Sequence, residues 1–222
     1  SGVFLNNGMG KFEFKALPRL AQLAPSFGII VNDLDGDTIP DIYLAQNFHG
    51  PQPETGRMSG GLSTMLRGKG DGSFDALWPR ESGLLVPEDG TAACLADVDG
   101  DNWPDLLVAS NDGPLRSFLN QSKLRYPENQ MLRVTLRGNA GNRDAVGARV
   151  RLILSDKTRQ IAEVQAGSGY LSQSTGSLFF GLGTKHPATI KVRWPDGTST
   201  SHEVNTKQGN ITISQPAPSP SP

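Results

Sequence analysis

The sequence predicts an all-β protein, and three observations support this fold class. The composition favours turns, with 26 glycines and 16 prolines in 222 residues, and only 36% of the residues are hydrophobic. Two short acidic segments each precede an apolar run of strand length. From Met131 onward, short runs of alternating apolar and polar residues are separated by turn-forming residues.

Each acidic segment places four aspartates within nine residues. The carboxylates occupy positions 1, 3, 5 and 9, namely Asp33, Asp35, Asp37 and Asp41 in the first segment and Asp97, Asp99, Asp101 and Asp105 in the second. Like charges about 4 Å apart repel by roughly 4 kcal/mol at an effective dielectric constant near 20. A folded segment of this kind needs a counter-ion, so the sequence predicts two cation sites.

Calcium is the cation that best suits these segments, because it accepts six to eight oxygen ligands in loosely constrained geometry. The backbone carbonyls of Ile39 and Trp103, at position 7, are predicted to add to the carboxylates. Gly36 and Gly100 allow the tight bend that brings the acids together. Magnesium is disfavoured, since it demands strict octahedral geometry and keeps several waters. We predict two structural calcium sites.

The acidic segments have two alternative interpretations besides calcium loops. An EF-hand needs a bidentate acid at position 12, where the two segments have Leu44 and Val108. Solvated acidic turns without a metal are the second alternative. The occurrence of the same pattern twice favours the metal sites.

The chain contains an internal repeat. A shift of 64 positions superposes Asn32–Asn47 on Ala96–Asn111 and matches all four acids, the glycine and the proline. A second repeated element, Phe4–Phe12 and Leu66–Phe74, predicts a strand, a glycine-rich turn and another strand. Ser117–Gln121 begins a degenerate third copy.

These motifs resemble the FG-GAP/VCBS repeat family. The resemblance implies that residues 1–127 form a partial β-propeller of about two blades, belonging to a longer chain with further blades upstream. The family usually has glycine at position 6 of the loop, where this chain has Thr38 and Asn102. A β-branched residue is strained in a left-handed conformation, so we expect the first loop to be looser or differently turned.

Residues 128–214 form a second predicted domain. Seven short strands are expected, at Leu132–Arg137, Val146–Leu154, Gln160–Ala166, Leu178–Leu182, Thr189–Trp194, Ser199–Val204 and Asn210–Ile213. This number and spacing of strands predicts a β-sandwich-like fold. The Pro/Ser-rich residues 215–222 are predicted to be extended or disordered.

Four motifs in this second domain resemble the ASPIC/UnbV family in their order along the chain. They are Gly138–Val150, Gly167–Ser174, Phe180–Gly183 and Val192–Gly197. The domain commonly follows VCBS repeats in secreted bacterial proteins and in the cartilage acidic protein family. The resemblance therefore implies an extracytoplasmic location, whether secreted, periplasmic or at the cell surface. It supplies no catalytic residues.

Candidate ligand contacts lie in an insertion after the first apolar run. The Gly/Pro-rich stretch from Gln46 to Leu62 contains His49, Arg57 and Met58. Long loops on a rigid scaffold often carry recognition residues. Simple surface exposure is the alternative interpretation of all three.

Three further candidates lie in the second domain. Asn142 and Arg143 form part of a polar turn that could bind a partner, although a structural role in the turn is favoured. Tyr170 could stack on a sugar ring, although a packing role is the more common one for such a tyrosine.

The charge is divided unevenly along the chain. Residues 1–127 hold 10 basic and 16 acidic residues, whereas residues 128–222 hold 11 basic and 6 acidic residues. Electrostatic docking of the two parts is therefore possible. A nucleic-acid partner is disfavoured, because the basic residues are scattered along strands and are not clustered with aromatic residues. No apolar stretch approaches the roughly 20 residues of a membrane span.

The sequence favours a binding protein over an enzyme. It contains no G-x-S-x-G, P-loop or H-E-x-x-H motif, and its three histidines are far apart. We predict an extracytoplasmic, calcium-stabilised scaffold that binds a protein or a glycan. The alternatives are the C-terminal part of a polysaccharide-acting enzyme that uses His49 and Tyr43, or an accessory subunit of an envelope complex.

Overall fold

The computed structural model describes residues 1–50, 54, 61–204 and 209–217. Within these ranges the chain is all-β, as the sequence predicts, and its strands form several sheets, none of which is closed. Two single-turn α-helices, α1 (Pro79–Ser82) and α2 (Ser122–Arg125), and a 3-10 helix (Arg19–Gln22) complete the regular structure of the described residues. None of the helices in these ranges is long and apolar enough to cross a membrane.

The first part of the chain contains a hairpin and two antiparallel sheets. Its strands are β1 (Gly2–Asn6), β2 (Phe12–Ala16), β3 (Ser26–Asn32), β4 (Asp41–Gln46), β5 (Thr64–Gly68), β6 (Phe74–Leu77), β7 (Gly90–Ala96), β8 (Asp105–Ser110) and β9 (Arg116–Phe118). Strands β1 and β2 form the hairpin, β3 to β6 form a four-stranded meander, and β7 to β9 form a three-stranded sheet. The meander has sequential strand order, and the assignment of these sheets to propeller blades stays a prediction.

The internal repeat is visible in the strand boundaries. Strands β3 and β7 are offset by 64 positions, and so are β4 and β8. Each acidic segment is the loop that joins the two strands of such a pair, and Asn32 pairs with Asp41 as Ala96 pairs with Asp105. The predicted strand, turn and strand elements are also present, as β1–β2 and β5–β6. The two copies are therefore equivalent in structure as well as in sequence.

One hydrophobic cluster joins the two sheets of the first part. It contains side chains from β3, β4 and β5 together with side chains from β7 and β8, including Tyr43, Met65, Leu95 and Val108. A smaller cluster around Leu66 connects the meander to the β1–β2 hairpin. The repeated strand pairs thus pack against each other through their apolar faces.

The second part contains the seven predicted strands, each within a few residues of its expected position. They are β10 (Gln130–Arg137), β11 (Arg149–Leu154), β12 (Arg159–Glu163), β13 (Leu178–Gly183), β14 (Pro187–Arg193), β15 (Ser199–Glu203) and β16 (Asn210–Ser214). One sheet has the order β13-β10-β16 and the other has the order β12-β11-β14-β15. Strands β10 and β16 are parallel, and Arg133 pairs with Asn210.

Both sheets of the second part contribute to a single core. Alternate residues of β10, β11, β13 and β14 are buried in it, and Trp194 fills its end with 2% of its surface exposed. The indole N–H of Trp194 donates to Thr200 Oγ1 at 3.1 Å, which satisfies the polar group of this buried ring. Two sheets around one core form a layered β arrangement.

The acidic loops lie at the joint between the two parts. In the first loop, Gly36 accepts a hydrogen bond from the backbone N–H of Gly183 on β13 at 2.7 Å. In the second loop, Trp103 packs with Met131 and Phe179 from β10 and β13. The side chain of Trp103 also lies against Gly36, so the two loops contact each other.

A second attachment between the parts is formed by Gly167–Ser174. The hydroxyl of Ser172 donates to the carbonyl of Ala93 at 2.8 Å, and the backbone N–H of Leu95 donates to Ser174 Oγ at 3.0 Å. Since Ala93 and Leu95 belong to β7, this segment binds the second part to the sheet that carries the second acidic loop.

The close packing at the joint predicts that one methyl group added at Gly181 will destabilise the fold. A Cβ added at Gly181 on β13 would lie 1.7 Å from Asp33 Oδ2 and 2.9 Å from the carbonyl carbon of Gly36. Gly181→Ala must therefore displace the first loop or β13, and we expect a loss of about 2 kcal/mol in the free energy of unfolding, measured by urea denaturation. Gly176→Ala is the control, because its nearest neighbour is Val164 Cγ1 at 3.9 Å. Equal effects of the two changes would contradict this account of the joint.

Candidate metal centre in two acidic loops

The carboxylates at positions 1, 3 and 5 converge in both loops. Asp33, Asp35 and Asp37 each offer one oxygen, and the three oxygens lie within 4.8 Å of one another. The same is true of Asp97, Asp99 and Asp101. Two equivalent groups of three carboxylates are therefore present at the predicted places.

Hydrogen bonds from the backbone fold both loops in the same way. The first aspartate of each loop accepts two N–H groups: Asp33 accepts from Gly36 at 2.7 Å and from Thr38 at 2.7 Å, and Asp97 accepts from Gly100 at 2.8 Å and from Asn102 at 3.1 Å. The chain therefore bends around this carboxylate, which turns the acids at positions 3 and 5 toward it.

The aspartates at position 9 have a different role in this structure. Asp41 and Asp105 lie outside the two groups. The two carboxylate oxygens of Asp41 accept backbone N–H groups of Leu34 and Gly68, both at 3.0 Å. Those of Asp105 accept from Val98 and Asn120, both at 2.7 Å. These residues fasten the first loop to β5 and the second loop to the segment that follows β9, and their predicted role as metal ligands stays a prediction.

The expectation of a differently turned first loop is wrong. Thr38 has φ of 84° and Asn102 has φ of 72°, so both loops use the left-handed conformation at position 6. The hydrogen bond from the N–H of Thr38 to Asp33 holds the threonine in this conformation. Thr38 is therefore strained, because its branched Cβ crowds the backbone there.

The first loop is the more buried one, and its electrostatics reflect this. Burial raises the pKa of Asp33 to about 8, and the charges of Asp37 and Asp41 add to the effect. Burial also raises the pKa of Asp41 to about 7 and, together with the charge of Asp37, raises the pKa of Asp35. In the absence of a cation, burial thus disfavours the ionised carboxylates of this loop.

Protein cations contact both loops, and the sequence did not predict them. Arg67 on β5 pairs with Asp35 at 3.2 Å in the first loop. In the second loop, Arg133 on β10 pairs with Asp97 at 2.6 Å, and Lys123 on α2 pairs with Asp101 at 2.6 Å. These partners are 22 to 36 positions away along the chain, so no local pattern could have identified them.

One buried oxygen of the first loop has no partner. Asp35 Oδ1 is inaccessible to solvent and accepts no hydrogen bond, while Asp35 Oδ2 faces Arg67. A buried carboxylate oxygen without a partner is costly, and a cation would satisfy it. The donor set therefore fits a hard divalent cation. Ile39 is half-buried and Trp103 is buried, and the use of their carbonyls as ligands stays a prediction.

The structure describes His49 and Tyr43, the two residues of the enzyme alternative, and places only His49 at the surface. His49 is exposed, and its backbone N–H donates to Asp89 Oδ2 at 3.3 Å. Tyr43, the other residue of the enzyme alternative, is fully buried in the core and cannot reach a substrate. Arg57 and Met58 lie outside the described residues.

The candidates in the second part have mainly structural contacts. Asn142 exchanges two hydrogen bonds with the backbone of Val146, both at 2.9 Å, while Arg143 is exposed. Tyr170 packs on Phe27 with their ring centroids 5.5 Å apart and keeps 47% of its surface exposed. Asn142 therefore stabilises a turn, and Tyr170 helps to attach the second part to β3.

Comparisons with known proteins agree with part of this picture. A family model described as "ASPIC and UnbV" matches residues 138–220. The chain is 28% identical to cartilage acidic protein 1 of Mus musculus over 210 residues, which are 92% of this chain and 31% of the relative. It is 29% identical to the Homo sapiens protein over 210 residues, with 92% and 30% covered, and 28% identical to the Xenopus tropicalis protein over 195 residues, with 86% and 29% covered.

These matches confirm the resemblance of the second part to ASPIC/UnbV and of the chain to cartilage acidic protein. The chain spans less than a third of the length of these curated relatives. The resemblance of residues 1–127 to FG-GAP/VCBS repeats stays a prediction.

The position 9 aspartates can be tested by removing one acceptor from each. In Asp41→Asn and Asp105→Asn, an NH₂ group replaces one carboxylate oxygen. One of the two backbone N–H groups that the aspartate binds in the wild type therefore loses its acceptor and faces another donor. We expect each change to lower the free energy of unfolding by about 2 kcal/mol in urea denaturation. Asp112→Asn, an exposed change in the same chain, is the control and should have little effect. Wild-type stability of both loop variants would contradict the fastening role.

Relief of the strain at Thr38 is expected to raise the free energy of unfolding, whereas the aspartate changes lower it. Thr38→Gly should raise the free energy of unfolding by about 1 kcal/mol, because glycine adopts the left-handed conformation without steric cost. Asn102→Gly is the matched change in the second loop and should not stabilise, since asparagine tolerates this conformation and Asn102 Oδ1 accepts from Asn210 at 3.0 Å. Thermal melting of both variants checks this, and a destabilised Thr38→Gly would contradict it.

Proposed function

We propose that this chain is a calcium-stabilised β scaffold that acts outside the cytosol and binds a protein or a glycan. The observation that carries the proposal is the pair of equivalent loops, each with three convergent carboxylates. Their position at the joint supports a structural role for the metal, since ordering the loops orders both parts of the chain. Residues 1–127 would form about two propeller blades and residues 128–214 the attached domain.

Calcium is the cation that this arrangement favours. In the first loop it would be held by Asp33, Asp35, Asp37 and the carbonyl of Ile39. In the second loop the ligands would be Asp97, Asp99, Asp101 and the carbonyl of Trp103. Bound calcium would supply charge neutralisation, and the protein cations Arg67, Arg133 and Lys123 neutralise each group only in part. The first loop is contacted by one such cation and the second by two, so we expect tighter binding at the first.

The extracytoplasmic location is supported by the relatives and by the metal chemistry. The relatives carry the name cartilage acidic protein, and cartilage consists largely of extracellular matrix. Calcium sites of extracellular modules have dissociation constants of about 10⁻⁴ to 10⁻³ M, so weak structural sites are filled outside the cell. The exposed side chains of His49, Arg143 and Tyr170 are candidate contacts for the ligand.

The proposal is tested by thermal melting in calcium and in chelator. If each site has a dissociation constant of about 10⁻⁴ M, 10 mM calcium stabilises by about 2.7 kcal/mol per site. This corresponds to a rise in Tm of about 5–10 °C per site for a chain of this size. We expect magnesium at the same concentration to give a much smaller rise.

Matched variants distinguish the loops from general charge effects. The double change Asp35→Asn with Asp99→Asn should abolish the calcium-dependent rise in Tm. The control is Asp75→Asn with Asp144→Asn, which removes two exposed acids outside the loops and should keep the rise. An equal Tm in calcium and chelator for the wild-type chain would overturn the calcium sites.

A further inference from the structure

The outer face of the sheet β12-β11-β14-β15 carries an unusual concentration of positive charge. The inner face of this sheet lies in the core of the second part, where Val150, Leu152, Ile190 and Val192 are fully or almost fully buried. Residues alternate between faces along a strand, so their neighbours in sequence point outward. The outward side chains of the two central strands, β11 and β14, are mostly basic and exposed.

Strand pairing places four cations side by side. Arg149 on β11 pairs with Arg193 on β14, and Arg151 pairs with Lys191. Directly opposed residues have Cβ atoms about 5 Å apart, and successive outward residues along a strand are about 7 Å apart. The four residues Arg149, Arg151, Lys191 and Arg193 therefore form a two-by-two cluster, which we call the basic face.

Little compensates these charges within the protein. None of the four cations takes part in an ion pair among the described residues. Glu163 pairs in register with Arg149 at one edge, and Glu203 lies opposite Thr189 outside the cluster. Like charges placed directly opposite each other across strands destabilise a sheet. The fold thus keeps an arrangement that weakens it, which points to an external anion.

We propose that the basic face binds a sulfated polysaccharide. This inference rests on the proposed function, because it names the ligand class of a glycan-binding module outside the cytosol. The face forms a shallow depression of about 460 Å³, and Ser199 and Ser201 on β15 line it next to the basic residues. Hydroxyl groups beside arginine and lysine provide the hydrogen-bond donors that sulfate oxygens accept.

The surroundings of the basic face favour this polyanion over two others. Its outward neighbours are Ile153, Ile161, Glu163, Thr189 and the two serines, and none of them is aromatic. Single-stranded nucleic acids bind through aromatic side chains on which bases stack, so this face lacks their usual platform. Membrane-surface sites combine basic residues with several apolar side chains that insert into the membrane. In this depression, Ile161 is the one large apolar side chain that is exposed, with 49% of its surface accessible.

The experiment measures binding of the full 222-residue chain to heparin by fluorescence titration at several salt concentrations. We expect the logarithm of the association constant to fall linearly with the logarithm of the salt concentration, as for other polyanions. The change Arg151→Ser with Lys191→Ser should weaken binding by about tenfold or more and reduce the salt slope by about two. Hyaluronan, which carries carboxylates and no sulfate, should bind much more weakly than heparin.

The control removes two basic residues elsewhere in the chain. Arg19 and Arg137 are exposed, form no ion pair among the described residues and lie off this sheet. Arg19→Ser with Arg137→Ser should retain heparin binding. Melting curves of both double variants verify folding, and the basic-face variant should be at least as stable as the wild type at low salt, because opposed cations have been removed.

Several results would overturn the inference. The inference is wrong if the chain does not bind heparin at low salt, or if the two double variants lose the same amount of heparin affinity. It is also wrong if hyaluronan binds as tightly as heparin, or if single-stranded DNA or phosphatidylserine vesicles bind more tightly than heparin. The titration is repeated in chelator and in calcium to separate this inference from the proposed function. Calcium-dependent stability without heparin binding would reject only the basic face, and heparin binding without calcium-dependent stability would reject only the metal sites.

Discussion

Neutralisation of clustered carboxylates is the constraint on which this structure depends. Each acidic loop bends around its first aspartate, and the bend forces two more carboxylates into the same small volume. In the first loop these groups are also largely removed from water, which raises the cost of their charge. Since the loops lie at the joint between the two parts of the chain, whatever balances their charge also contributes to holding the parts together.

The local features of the fold could be predicted from the sequence, and the long-range ones could not. Strand positions follow from alternation of apolar and polar residues, and the offset of 64 positions follows from the repeat itself. The use of Asp41 and Asp105 was not predictable, because it depends on N–H groups of Gly68 and Asn120 in strands and turns far along the chain. The turn at Thr38 was mispredicted because the hydrogen bond to Asp33 outweighs the steric preference of threonine.

The fold places basic residues of the second part in two different locations. Arg133, from the basic second part, is used at the joint, where it pairs with an almost fully buried Asp97. Other cations of the second part lie on the opposite side of the core, on the outer face of the larger sheet. The sequence suggested that basic residues were scattered, since Arg149 and Arg193 are 44 positions apart, but strand pairing makes them direct neighbours. Distance along a β chain is a poor measure of charge clustering.

The parallel pairing of β10 and β16 has a consequence for biogenesis. Strand β10 emerges from the ribosome early in the second part, yet its parallel neighbour is synthesised only after all the intervening strands. Until then one edge of β10 has no partner, and the nascent core cannot close over Leu132 and Val134. The core of this part is therefore completed only once β16 has been synthesised, and in an exported chain only once β16 has crossed the membrane.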